Sequence, residues 1–310
     1  ALSAAARLLA QTGGYATAGD YCEEALAIAR AAGDDYLVAE VLYEQAWLLL
    51  RQGRPSAALP LIESGLDLAR RLGKPHLTGG LLAARSYAAY VAGDPAGWAR
   101  DAAESLRLYR QAGDRLQVGQ MLGNLGNYEL SAADLDAARR HLAESLDIFR
   151  ALNDRHNAVI ATFNLGLAEY LGGTPGAAGA LFAESLGLAR RTGMRASTAY
   201  ALIGLALAGR GGADPGWSAR LHGAADVALA DLGETLAPLE GRLAGQDRQR
   251  LRAAMGDEAF DAEYAAGRTL DPAQVLAALG PAAAAQGAGA LVRERYAKTD
   301  RPRARRPGVA

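Results

Sequence analysis

Leu26, Leu66, Leu106, Leu146 and Leu186 stand 40 residues apart, and Arg30, Arg70, Arg110, Arg150 and Arg190 keep the same step. A fixed period of this length means one supersecondary unit stacked on copies of itself rather than a single globular core. Gly33, Gly73, Gly113 and Gly193 share a register, with Asn153 in the remaining place. These two residue types enter the left-handed conformation that ends helices most readily. Each arginine then falls in a last helical turn, where a cation suits the helix dipole. Midway lie Gly13, Gly53, Gly93 and Gly173, with Pro55, Pro95, Pro175 and Pro215 where the next helix begins. Every unit therefore reads as helix A, turn, helix B, turn. In the clearest unit helix A is expected near Leu116–Leu130 and helix B near Asp134–Leu152.

The segment AESL occurs at Ala103–Leu106, Ala143–Leu146 and Ala183–Leu186, again 40 residues apart. A carboxylate beside a hydroxyl invites a catalytic reading, but no histidine shares the register to act as base. The motif reads as packing: the leucine in the core, the serine at a close contact, and Glu104, Glu144 and Glu184 facing solvent. His76, His141, His156 and His222 fall in different units without metal-ligand spacing. The one cysteine, Cys22, occupies a core position and rules out an internal disulfide framework. No GxxxxGK[ST] phosphate loop is present. The sequence thus predicts no catalytic residue, no metal, no cofactor and no enzyme. A net charge of −1 gives no reason to expect nucleic acid or an anionic membrane as partner. No apolar run long enough for a transmembrane helix and no signal peptide stand out, so the expected location is cytoplasmic.

The small residues carry a further pattern. Helix A has Ala6, Ala46, Ser86, Gly126 and Gly166 in one register; helix B has Ala18, Ala58, Trp98, Ala138 and Ala178, then Ala25, Gly65, Ser105, Ser145 and Ser185. Between the two helix B series stand the larger Cys22, Ile62, Leu142 and Phe182; the remaining copy is Ala102, in the repeat where Trp98 breaks the small rule. This arrangement resembles the tetratricopeptide repeat family. The resemblance implies an all-α fold, a right-handed superhelix of the α–α solenoid kind with a helical C-terminal cap. Residues 1–233 would form the array, five units and a degenerate sixth; 234–280 would form the cap, and 281–310 a disordered basic tail.

The C-terminal part, with RLHGAADVALADLG, GDEAFDAEYAAGR and the helix start TLDPAQVLAAL, resembles the repeat region of large actinobacterial regulators. Those regulators combine an ATPase domain with repeats and a DNA-binding domain of the LuxR or antibiotic-regulatory type. The resemblance implies a ligand- or protein-binding sensor module of a signalling or transcriptional regulator, with an upstream ATPase domain of the same polypeptide as partner. The array opens in mid-helix, which fits a piece of something longer. Two alternatives stay open: a freestanding protein–protein interaction scaffold, and an enzyme that uses the groove as its active site.

Tetratricopeptide arrays hold peptides along their A helices, and the resemblance points to positions around the small residue. These are Tyr43, Glu44 and Trp47; Tyr87 and Tyr90; Gln120, Asn124 and Asn127; and Phe163, Asn164 and Tyr170. The expected occupant is a protein or peptide segment, or a small-molecule effector. Asn124 and Asn164 share a register, and a carboxamide can bond both the N–H and the C=O of an extended chain. Glu40 and Glu44 make the early groove acidic while Arg85 adds one opposite charge, so the sign of the ligand is open.

Overall fold

Each repeat boundary is written in local chemistry. Asp34, Asp94, Asp134, Asp154 and Asp214 cap helix N-termini, each accepting a backbone N–H three residues on. Pro55, Pro75, Pro95, Pro175 and Pro215 open helices whose first N–H has no partner to lose. At the ends, Asn153 takes φ 55° in the place that glycine fills elsewhere. Ala133, in register with Gly53 and Gly93, is held at φ 60°. An alanine there crowds its Cβ against the following carbonyl.

The computed structural model describes Ala5, residues 15–209 and residues 214–285, with side chains as far as Leu279. Ala6 and Gly13 of the first repeat, and the expected tail beyond 285, lie outside the described residues. Those residues form fourteen helices and no strand. The first seven are α1 (Tyr15–Ala31), α2 (Asp35–Arg51), α3 (Pro55–Arg71), α4 (Pro75–Ala92), α5 (Pro95–Gln111), α6 (Arg115–Ser131) and α7 (Leu135–Ala151). Then come α8 (Arg155–Leu171), α9 (Pro175–Thr192), α10 (Arg195–Ala208), α11 (Pro215–Ala230), α12 (Pro238–Met255), α13 (Asp257–Gly267) and α14 (Pro272–Ala285). The even helices from α2 to α10 are the A helices; α1 to α11 supply the B helices.

The chain divides into two compact units, residues 1–121 and 122–310. In the first, each helix from α1 to α5 packs on the next, and α2 also touches α4. Ala58, Ile62, Leu66 and Ala69 of α3 meet Ala39, Ala46 and Leu50 of α2 and Leu77, Leu81 and Leu82 of α4 in one cluster. In the second unit α7 to α11 pack in the same consecutive way, and α8 also touches α10. Both are tetratricopeptide-like solenoids, with the A helices α2 and α4 side by side in the first and α8 and α10 side by side in the second.

The small and large positions interlock. A Cβ on Gly126 would collide with Leu142, and one on Gly166 would come within 2.7 Å of the Phe182 ring. A Cβ on Gly204 of α10 would come closer still, 2.3 Å from the same ring, so Phe182, fully buried, is clasped between two consecutive A helices. In the third repeat Ser86 replaces glycine and its Oγ donates to the Trp98 carbonyl, while Ala102 takes up no more room than a methyl.

The last helices close the second unit. Leu243 and Ala244 of α12 and Val275 of α14 join the cluster that holds Phe182 and Leu202. Helices α11 and α13 cross so closely that Gly223 and Gly267 face each other's backbone carbonyl regions, at Tyr264 and Arg220. A side chain at either glycine would part the helices.

Candidate functional site

The repeated serines of AESL donate hydrogen bonds to A-helix carbonyls: Ser105 Oγ to Gly79 O at 2.7 Å and Ser185 Oγ to Val159 O at 3.2 Å. All three serines of the motif are fully buried. They hold helix B to helix A, and Glu184 departs from the solvent-facing expectation by pairing with Arg150 of the preceding repeat. Among the described residues no group of three His, Cys, Asp or Glu side chains is placed to hold a metal ion. Cys22 is buried, and its thiol is pushed up to about 11, first by burial and then by the Glu44 carboxylate.

In the first unit the expected A-helix residues come together. Tyr43, Glu44 and Trp47 lie one helical turn apart on α2, and Glu40 precedes them on the same face. Tyr87 and Tyr90 lie on α4. The rings form a continuous chain: Tyr43 to Trp47 at 6.5 Å, Trp47 to Tyr87 at 5.9 Å, Tyr87 to Tyr90 at 6.5 Å between centroids. Tyr43 can lie across α4 because residue 80 is glycine; a Cβ there would sit 3.0 Å from its ring. Tyr87 and Tyr90 remain 42% and 45% exposed. The Trp47 Nε1 donor is shielded from solvent and has no acceptor among the described residues.

Arg85 does not join this face. Its guanidinium is turned onto the B helices, where it donates two bonds to the buried Asp101 of α5, at 2.6 and 3.0 Å, and another to Glu63 of α3 at 2.9 Å. The bond to Asp101 and the charge of both carboxylates raise its pKa against the opposing effect of burial. Gln120 is half-buried near the end of this unit.

In the second unit the same positions have mixed fates. Asn124 and Asn127 are exposed on α6. Asn164 is only 8% exposed on α8, yet its carboxamide makes no hydrogen bond among the described residues. Phe163 is a core residue rather than a groove-lining one: it is 6% exposed and packs against Phe182 at 5.5 Å and Tyr200 at 5.6 Å. The expectation for it is corrected, because Gly166 and Gly204 bring α8 and α10 close enough to enclose both phenyl rings. Tyr170 is half-buried and packed against the same cluster.

A polar network beneath the last helices had no periodic signal in the sequence. His222 of α11 and Asp247 of α12 are both buried and meet at 3.0 Å, and Arg250 donates to the other Asp247 oxygen at 2.9 Å. Nearby, Arg248 and the Tyr264 hydroxyl both donate to Asp226, and burial, then that bond, push the tyrosine up to about 12. This network ties α11, α12 and α13 together.

Comparison with known proteins agrees with this architecture. The tetratricopeptide repeat family matches residues 1–71. No curated protein matches the chain. Among solved structures, that of BtubC (BKLC) from P. vanneervenii is 20% identical, covers 78% of this chain and 91% of its own, and superposes with a TM-score of 0.54. At that identity the likeness is one of fold.

Proposed function

We propose that this chain is a protein-interaction module that holds an extended peptide segment against its A helices. The observation that carries this reading is Asn164. The side chain is largely covered, yet its carboxamide atoms are not sealed from solvent and make no bond within the described residues, so its donor and acceptor stay available to a ligand. No bond within the described fold uses this carboxamide; a peptide backbone laid along α8 would supply both a donor and an acceptor for it. Asn124, one repeat earlier and exposed, is positioned to bond the same kind of ligand. The match of the N-terminal residues to tetratricopeptide repeats, which generally serve protein recognition, supports the same conclusion.

The test is selection from a displayed library of random peptides on the full chain, followed by titration into the Asn124→Ala/Asn164→Ala variant. Enriched peptides should lose at least tenfold in affinity while helicity by circular dichroism stays unchanged. No enrichment over a control protein, or equal affinity for the variant, would remove the reading.

The finer role we propose is the sensor arm of a cytoplasmic bacterial regulator. It is supported by the resemblance of the C-terminal helices, Arg220 to Leu279, to those of ATPase-containing transcriptional regulators. Occupancy of the A helices would then bias an upstream domain, provided the ligand prefers one of two states. Sequencing the gene upstream of the Ala1 codon tests this directly: an in-frame phosphate loop supports it, and a start codon at that point sinks it.

A further inference from the structure

We propose that the second unit, residues 122–310, carries a cation subsite at Glu240, which takes an arginine or lysine side chain of a peptide whose backbone is held at Asn164. This rests on the peptide-binding reading above and adds the sign and chemistry of the ligand.

The path between the two residues is continuous. Ile160 lies one turn before Asn164 on the same face of α8 and is 41% exposed. Phe163, beside Asn164 in the chain, meets the Tyr200 ring of α10 edge-on at 5.6 Å. The Tyr200 hydroxyl accepts the Ala237 N–H at 3.0 Å and so pins the start of α12 beside that ring. Glu240 falls in the first turn of the same helix. Its charge is felt at the Tyr200 hydroxyl, as is that of the exposed Glu234, and both add to the effect of burial in raising the tyrosine's pKa. Packed helices lie about 8–10 Å apart. A handful of extended residues, at about 3.3 Å each, therefore reaches from α8 across α10 to α12.

The sign follows from Glu240. It is half-buried and forms no ion pair among the described residues. Burial raises its pKa, and only its own backbone N–H acts the other way. A bound cation relieves a covered carboxylate of this kind, because pairing returns part of the interaction that burial took from water. The nearby cations are engaged elsewhere: Arg195 of α10 with Asp231 at 3.7 Å, Arg248 with Asp226, and Arg250 with Asp247. Arg242 stands two positions on from Glu240, and residues so spaced do not share a helix face. Asn164 is a separate pointer to the same ligand, since its unused carboxamide reads backbone rather than charge. Between the two, Ile160 and the half-buried Tyr200 ring suit the apolar stem of a lysine or arginine, and a guanidinium can stack on the ring itself.

The experiment applies the displayed random-peptide library to the full chain and, in parallel, to Glu240→Gln. Peptides enriched on the parent should share an arginine or lysine, and that preference should vanish from peptides enriched on the variant. One parent-selected peptide is then made with norleucine in place of its cation, and both forms are titrated by fluorescence polarisation. The replacement should cost about tenfold or more on the parent, and next to nothing on Glu240→Gln. Binding of the cationic form to the parent should weaken as salt rises. Glu240→Asp, which keeps the charge, should keep the cation preference, and this separates loss of charge from disturbance of α12. Enriched peptides without a shared cation, or an equal cost of norleucine on parent and Glu240→Gln, overturn the proposal. If such peptides still lose affinity on Asn164→Ala, the peptide-binding reading survives while this inference fails. If no peptide is enriched on the folded chain, both fail.

Discussion

Helices α2 and α4 in the first unit and α8 and α10 in the second occupy equivalent places in the repeat, yet they treat the same register in opposite ways. Trp47 and Tyr87 correspond to Leu167 and Leu207; the first pair keeps a half-open and an open ring, while the second pair is no more than 1% exposed. Tyr43 corresponds to Phe163, lying across Gly80 in one case and sunk against Phe182 in the other. The difference comes from what stands behind each face. Phe182 needs glycine on both flanking A helices, and closing around it draws the second pair into a core that α12 and α14 then cover. The first pair has the smaller Ile62 at the matching position, and Trp47 and Tyr87 keep part of their rings exposed. One half of the register has become core, and the other half has stayed surface.

That contrast can be broken most forcefully at its anchor. Phe182→Ala should cost about 3–5 kcal/mol, because the vacated space lies between two glycines that cannot fill it. A loss below about 1 kcal/mol in urea unfolding would mean that the clasp is loose. Next is the buried pair under the last helices: Asp247→Ala leaves His222 and Arg250 without their carboxylate and should cost about 3 kcal/mol. If unfolding barely changes, the covering helices are not held by that network.

Two smaller effects sharpen the comparison. Ala133→Gly should add about 1 kcal/mol, since the second unit keeps a left-handed alanine where the first has Gly53 and Gly93. A loss of stability instead would show that the turn does not sit at positive φ. Tyr87→Ser should move stability by less than about 0.5 kcal/mol, because the ring is on an open face. A large destabilisation there would show that the first pair is core as well.

Much of the fold could be read from the sequence because its marks are local. Helix ends need left-handed residues and proline, and those recur every 40 residues; Asn153 was readable as a glycine equivalent on conformational grounds alone. Close helix approach needs small residues, so Gly126 and Gly166 could be placed before any coordinates. Ala133 was not readable, since alanine carries no signal of a left-handed turn. The fate of Phe163 depended on Phe182 and Gly204, residues 19 and 41 positions away, whose combined volume decides whether a ring is enclosed. Arg85 likewise had two possible directions, and only the positions of Asp101 and Glu63 in space select one. Periodicity names the register; the volume and charge of partners in other helices decide which members of it meet solvent.

The central claim is that the chain keeps polar groups on its A helices for a ligand rather than for its own fold. Asn164→Leu tests it with two readings on one protein: urea unfolding, and calorimetric titration of a library-selected peptide. The account predicts stability equal to or about 1 kcal/mol above the parent, because no internal hydrogen bond is lost, together with at least a tenfold fall in peptide affinity. Lower stability with unchanged affinity would show that Asn164 serves the fold, and would contradict the account.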